Sequence, residues 1–313
     1  MTVLSTAGRT LRLGTRRSLL ARTQSGTVAA ALGRAGASVD LVEVSTLGDR
    51  SPAAVAELGG TGVFVTALRE QLLEGAVDFV VHSLKDLPTV PAAGLRLAAV
   101  PRREDPRDVL VDRAGRTLGE LPPGTRVGTG SPRRTAQLGA LGLGLDVLAI
   151  RGNVDTRLRR VAAGELDAVV LARAGLSRLG RLAEVTEVID PLQMLPAPGQ
   201  GALAVECRAD DESLVELLGR LDDAETRAAV TAERTLLAAL EAGCTAPVGA
   251  LADVAEGDAG KLEIYLRAAV LALDGSRTLR LSATGPPSAA AEIGRSLAAD
   301  LLAAGAADLM ENR

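Results

Sequence analysis

Short apolar runs alternate along this chain with stretches whose apolar residues recur at helical spacing, the rhythm of βα units on a mainly parallel sheet. Leu11-Arg12-Leu13 predicts a first strand, and Ser18 has the residue type of an N-cap for a helix running through Leu32. Residues 38–44 predict a second strand and 64–73 a second helix. Phe79-Val80-Val81 is apolar without alternation, which predicts a strand covered on both faces. The polar segment His82-Ser83-Leu84-Lys85-Asp86-Leu87-Pro88 follows it at once.

Residues 101–108, dense in proline and charge, predict an interdomain crossing. The rhythm then restarts at Arg126-Val127-Gly128. Ser131-Pro132 has the N-cap and first-turn types for a helix that carries Arg133 and Arg134. Residues 146–150 predict a strand ending at Arg151-Gly152-Asn153, with Asn153 capping the helix that holds Arg157. Residues 167–172 predict a further buried strand, and the proline-rich stretch 195–201 a second crossing, after which 202–207 rejoin the first domain. From about Asp222 the pattern changes to a long helix over 225–240, strands over 262–273 and 278–283, and a closing helix over 289–304. The fold class expected is α/β in three domains: 1–103 with 200–221, 104–199, and a small α+β domain over 222–313.

Composition narrows the chemistry. A net charge of −4 and a pI near 5.3 argue against a general polyanion binder. With 1% aromatic residues there is no stacking surface for single-stranded nucleic acid. No apolar stretch precedes Arg16-Arg17, so no export signal is expected, and no run is long enough for a membrane span. The expectation is therefore a cytoplasmic protein without nucleic-acid or membrane partner; a monomer is expected as well, on no residue pattern. Cys207 and Cys244 lack metal-ligand spacing, no metal is expected, and both cysteines are expected to be reduced.

Of the 35 basic residues only Lys85 and Lys261 are lysine. Arg16, Arg133, Arg134, Arg151 and Arg157 fall just beyond apolar runs, where open α/β sheets present ligands. Guanidinium forks match carboxylates two bonds at a time, so the pattern suits a ligand with several carboxylates. A helix start at residues 131–134 adds N–H donors for an anion, and Gly128 and Gly130 suggest close backbone approach. Asp86 reads either as a loop ion pair with Lys85 or as a carboxylate held ionised among cations, able to stabilise a cationic intermediate. His82, the sole histidine, is assigned to structure. Cys207, on a strand, reads as a small buried hydrophobe. Cys244, in a glycine-flanked loop, is better placed for covalent chemistry, although a helix C-terminus does not activate a thiolate.

These stretches together resemble the porphobilinogen deaminase (hydroxymethylbilane synthase) family nearly end to end. The likeness rests on Leu13-Gly14-Thr15-Arg16-Arg17-Ser18, Gly60-Thr61-Gly62-Val63-Phe64, His82 to Pro88, Gly130-Ser131-Pro132-Arg133-Arg134, Arg151-Gly152-Asn153-Val154 to Arg157, Ala174-Gly175-Leu176, Pro198-Gly199-Gln200-Gly201 and Gly243-Cys244-Thr245-Ala246-Pro247. The resemblance implies two domains similar to periplasmic binding proteins with the active cleft between them. It also implies a dipyrromethane cofactor in thioether linkage to Cys244, and porphobilinogen as substrate. Asp86 would be the catalytic carboxylate, close to the pyrrole nitrogens. Lys85, Ser131, Arg133 and Arg134 would hold the cofactor; Arg16, Ser18, Arg151, Arg157, Arg178 and Gln200 the substrate, with Gln200 at the cleft and hinge. Thr61 stands where the family often has lysine, and Thr245-Ala246 replaces a frequent Gln-Val. The competing expectation is a non-catalytic carboxylate-binding protein of the periplasmic type, and behind it a regulatory domain for a phosphorylated ligand. Neither gives Cys244 a role.

Overall fold

The computed structural model describes residues 9–44, 62–242, 246–257 and 260–311. The chain begins with strands β1 (Leu11–Thr15), β2 (Val39–Glu43), β3 (Phe79–Ser83) and β4 (Leu95–Ala99). Beyond Arg103 it lays down β5 (Asp108–Asp112), β6 (Arg126–Thr129), β7 (Asp146–Ala149), β8 (Ala168–Ala172) and β9 (Glu187–Val188). It returns for β10 (Leu203–Arg208), then ends with β11 (Val248–Glu256), β12 (Leu262–Leu271) and β13 (Thr278–Gly285). Two compact units result: one of the described residues up to Arg103 with Ala202–Arg227, the other of Glu104–Gly201 with the described residues from Ala228 onward.

In the first unit the sheet order is β2-β1-β3-β10-β4. β1 runs parallel to β2 and β3, whereas β10 is antiparallel to β3 and β4. The unbroken apolar run in β3 is explained by cover on both sides. Phe79 and Val81 pack with Leu13, Val28 and Leu32, while Val80 faces Leu68, Leu72 and Val77. Gly14 lets this face pack closely, because a Cβ there would lie 3.0 Å from Val80 Cγ1 and 3.1 Å from Val77 Cγ2.

The second unit repeats the arrangement as β7-β6-β8-β5-β9, with β5 antiparallel to β8 and β9. β5 begins at the last residue of the predicted crossing 101–108, and the pattern alone does not predict it. The same unit holds the antiparallel meander β11-β12-β13. One face of the meander buries Ile264, Leu266, Ala268 and Val270 against the helices Ala224–Ala239 and Ala290–Ala303. From the opposite face Leu251, Ala269 and Leu271 pack on Ala136 and Leu195. The C-terminal α+β layer thus shares a core with the middle segment, which is why the two make one compact body. The fold class is α/β, with two mixed sheets and a smaller antiparallel one.

Beneath the end of β3 lies a buried polar group. Glu206 on β10 accepts a two-pronged bond from Arg69 (Nε to Oε2 3.0 Å, Nη2 to Oε1 2.7 Å), and His82 Nε2 lies 3.2 Å from Oε2. Burial pushes the Glu206 carboxyl up, but His82 and Arg69 outweigh it and hold the pKa at about 2, against an ordinary 4.5. A carboxylate with a depressed folded-state pKa stabilises the fold above its unfolded value and loses that contribution as pH falls toward the folded one. The contribution here is on the order of 3 kcal/mol. Glu206→Gln is expected to lower the denaturation midpoint at pH 7, with the gap to the unsubstituted protein closing between pH 4.5 and 2. A gap constant across that window would remove Glu206 from the acid response. Cys207, the next residue, is fully buried and its thiol is pushed up to about 11, chiefly by burial, in keeping with a packing role.

Candidate active site

β1 and β3 are parallel neighbours, so their carboxyl ends open on one edge of the first sheet. Arg16 and Ser18 follow β1, and the single 3-10 turn Leu84–Asp86 follows β3. This edge therefore gathers Arg16, Ser18, Lys85 and Asp86, all half-buried. Ser18 caps the helix Leu19–Arg34, its Oγ accepting from Ala21 N at 3.3 Å. The turn is anchored by Leu84, fully buried, whose N–H donates to Ala202 O at 3.0 Å. Gln24 Nε2 donates to Ser83 Oγ at 2.9 Å and secures the preceding residue.

The second sheet offers the same edge. Ser131 follows β6, Arg151 follows β7 and the helix Arg173–Arg178 follows β8, all three strands parallel. Ser131 occupies the N-cap of the helix Pro132–Ala140, but its hydroxyl makes no capping bond. Instead its backbone N–H donates to Thr129 Oγ1 at 3.2 Å. Asn153 caps the helix Val154–Ala162 as expected, accepting from Thr156 N at 2.9 Å. Arg151 is exposed.

Arg133 and Arg134 are not the open cations the sequence suggested. They are 3% and 5% exposed and share the fully buried Asp108, with Arg133 Nη2 to Oδ2 at 2.8 Å and Arg134 Nη2 to Oδ1 at 2.7 Å. Burial alone would raise the Asp108 pKa, yet the two arginines overcome it and hold the carboxyl far below the usual range. The Nε–H groups of both arginines are buried without an acceptor among the described residues. Arg157 donates from Nε to Gly152 O at 2.9 Å, and its pKa is lowered first by burial and then by the neighbouring charge of Arg134. Two guanidinium groups thus share one internal carboxylate, with the charge of Arg157 close to Arg134, and the surplus is positive. An unpaired buried N–H costs about 1–3 kcal/mol, so an acceptor reaching either Nε–H would be stabilised there.

Gly128 and Gly130 serve a different approach from the one expected. A Cβ at Gly130 would lie 2.5 Å from Ile150 O, and one at Gly128 2.6 Å from Leu166 Cδ1. The glycines let the chain pass its own neighbours, which brings Ser131 beside the end of β7. Arg178 donates from Nη2 to Gly201 O at 2.6 Å, and burial lowers its pKa. Gln200, expected at the cleft and hinge, has its side chain turned inward. It is 1% exposed and its amide nitrogen donates to Pro106 O (2.7 Å) and Asp108 Oδ1 (2.8 Å). Sequence reasoning also missed Asp108 itself. The available signal was a carboxylate at the head of Asp108-Val109-Leu110-Val111, since an acid opening a wholly buried run needs cationic partners. Cys244 and Thr61 lie outside the described residues.

Two mixed sheets of matching strand order, each followed by cationic side chains at the carboxyl ends of its parallel strands, define an α/β protein with a smaller antiparallel layer. Residues 11–216 match the family model described as "Porphobilinogen deaminase, dipyromethane cofactor binding domain", and 227–303 match the one described as "Porphobilinogen deaminase, C-terminal domain". The chain belongs to the porphobilinogen deaminase family. It is 60% identical over 307 residues to a porphobilinogen deaminase of Nocardia farcinica, covering 97% of this chain and 88% of the relative. It is also 60% identical over 304 residues to one of Mycobacterium tuberculosis, covering 96% and 98%. Among solved structures, the methionine-binding protein MetQ aligns with a TM-score of 0.43 at 13% identity, covering 67% of this chain and 89% of that one. An arginine-specific periplasmic binding protein of Salmonella typhimurium aligns with a TM-score of 0.40 at 16% identity, covering 68% and 92%. No helix among the described residues is long and apolar enough to cross a membrane.

Proposed function

We propose that this chain is a transferase that condenses four molecules of porphobilinogen, each with loss of ammonia, into linear hydroxymethylbilane. The observation that carries the reading is the family match over both segments of the chain. The cationic surplus around Arg133, Arg134 and Arg157 supports it, because the substrate and the product are both rich in carboxylates. The dipyrromethane cofactor, when joined to Cys244 through a thioether, supplies the pyrrole α-carbon on which the chain grows. Ser131, Lys85, Arg133 and Arg134 hold its acetate and propionate groups. Arg16, Ser18, Arg151 and Arg157 bind those of the incoming porphobilinogen. Arg178 and Gln200 support the site from inside, through Gly201 and Asp108.

Asp86 acts on the substrate. The C–N bond of the aminomethyl group breaks, ammonia leaves with the electron pair, and positive charge spreads over the ring and its nitrogen. An ionised carboxylate beside that nitrogen stabilises the cation and accepts its N–H. The same charge orients the ring before the bond breaks. Domain movement about residues 101–108 and 195–201 accompanies growth of the product.

The test is the intact mass of the purified chain. It is expected to exceed the sequence mass by two linked pyrroles, and Cys244→Ser is expected to lack that increment and turn over no substrate. A wild-type chain of unmodified mass that still forms hydroxymethylbilane would sink the tether. The non-catalytic binding alternative gives Cys244 no such modification.

A further inference from the structure

Asp108 is a buried carboxylate to which the reaction itself assigns no task. It opens β5, is fully buried, and accepts from Arg133, Arg134 and Gln200 at 2.8, 2.7 and 2.8 Å. Each arginine spends a second nitrogen on a carbonyl: Arg133 Nη1 on Leu195 O, and Arg134 Nη1 on Val170 O at 3.0 Å. A guanidinium is planar, so two bonds from separate nitrogens to separate acceptors fix its plane. The direction of each unsatisfied Nε–H is thereby set by Asp108 and one carbonyl.

Gln200 extends the arrangement. Its neighbour Gly199 donates from N to Glu233 Oε2 at 2.6 Å, and the same buried carboxylate accepts from Ala252 N at 2.8 Å. Glu233 sits on the helix Ala224–Ala239, the last element before Cys244 in the sequence. Hydrogen bonds therefore run without interruption from the arginine pair, through Asp108 and the 199–201 turn, to the helix that leads to the attachment cysteine.

We infer that Asp108 is a positioning residue for the cofactor: it sets the planes of Arg133 and Arg134, and through Gln200 locks them to the 199–201 turn, so that the N–H groups these arginines have left over are aimed in advance at the dipyrromethane carboxylates. This rests on the reading of Arg133 and Arg134 as cofactor-holding residues. Charge balance alone is a different role, and the two separate cleanly by substitution. Asp108→Glu keeps the negative charge between the two cations but moves the carboxylate by about one C–C bond, ~1.5 Å. Functional groups of this kind need placement within about 0.5 Å. Asp108→Asn keeps the shape and removes the charge.

The full-length protein and both variants are compared by melting midpoint, by the fraction of chain carrying the two-pyrrole mass, and by kcat and KM of that loaded fraction. Asp108→Glu is expected to melt cooperatively, close to the unsubstituted protein, while the loaded fraction falls at least about ten-fold. Asp108→Asn is expected to load as poorly and to melt lower. Asp108→Glu that folds, loads fully and shows unchanged kcat and KM overturns the positioning role. Should neither variant fold, Gln200→Met keeps all three charges and removes one bond to Asp108. It is then expected to lower loading about three-fold, and undiminished loading overturns the proposal. An unmodified wild-type chain would instead overturn the cofactor reading, a separate result.

Discussion

Asparagine in place of Asp86 is expected to lower kcat by about 10²–10⁴-fold while KM changes by less than about three-fold. The substitution conserves shape, and the turn that carries residue 86 is held by other groups: the buried Leu84 and its N–H bond to Ala202 O. The fold and the cofactor mass are therefore expected to survive. What is lost is one negative charge facing the cation formed as ammonia departs. Opposite charges about 4 Å apart at an effective dielectric of about 20 attract by about 4 kcal/mol, close to a thousand-fold in rate. The amide still accepts a pyrrole N–H, which sets the residual turnover. Stopped-flow kinetics on the variant, with intact mass as the control for loading, reads the effect. A kcat within three-fold of the unsubstituted enzyme would falsify the role of Asp86.

Two arginines of the second unit, one buried and one exposed, are expected to fail in opposite ways. Arg133→Ala removes a nearly buried guanidinium from Asp108 and from Leu195 O, leaving a carboxylate and a carbonyl short of a donor. Breaking a buried pair in this manner costs about 3–5 kcal/mol, so the denaturation midpoint is expected to fall sharply and cofactor loading with it. Arg151→Ala, at an exposed position, is expected to leave the midpoint unchanged and to raise KM for porphobilinogen by about 10–100-fold, the worth of a charged carboxylate contact. Chemical denaturation and steady-state kinetics on both variants decide between the patterns. If Arg133→Ala kept its midpoint and merely raised KM, the buried network would not be supporting this site.

Much of the architecture was readable from local chemistry. Ser18 and Asn153 announce helix starts because a short polar side chain can accept from the first turn, and both do so. The run Phe79-Val80-Val81 announced a doubly covered strand, and its two faces are filled by separate cores. β4, β5, β9 and β11 were not predicted, since no helix or turn signal marks those short runs off from the segments around them. The long closing helix and the β12-β13 pair were foreseen, but not the packing of their layer on Ala136 and Leu195.

Motif order and residue type, which are properties of the linear chain, determined the α/β class, the family, and the set of residues that carries charge at strand ends. Hydrophobic period and capping need only near neighbours, so the chain states them directly. Tertiary structure alone decided what each charge does. It put Asp108 between Arg133 and Arg134, turned Gln200 inward, and made Gly130 a passage for the chain's own backbone. The bonds to Asp108 join residues 25 to 92 positions apart, which sheet order and the return of the chain through 199–201, not local pattern, bring together.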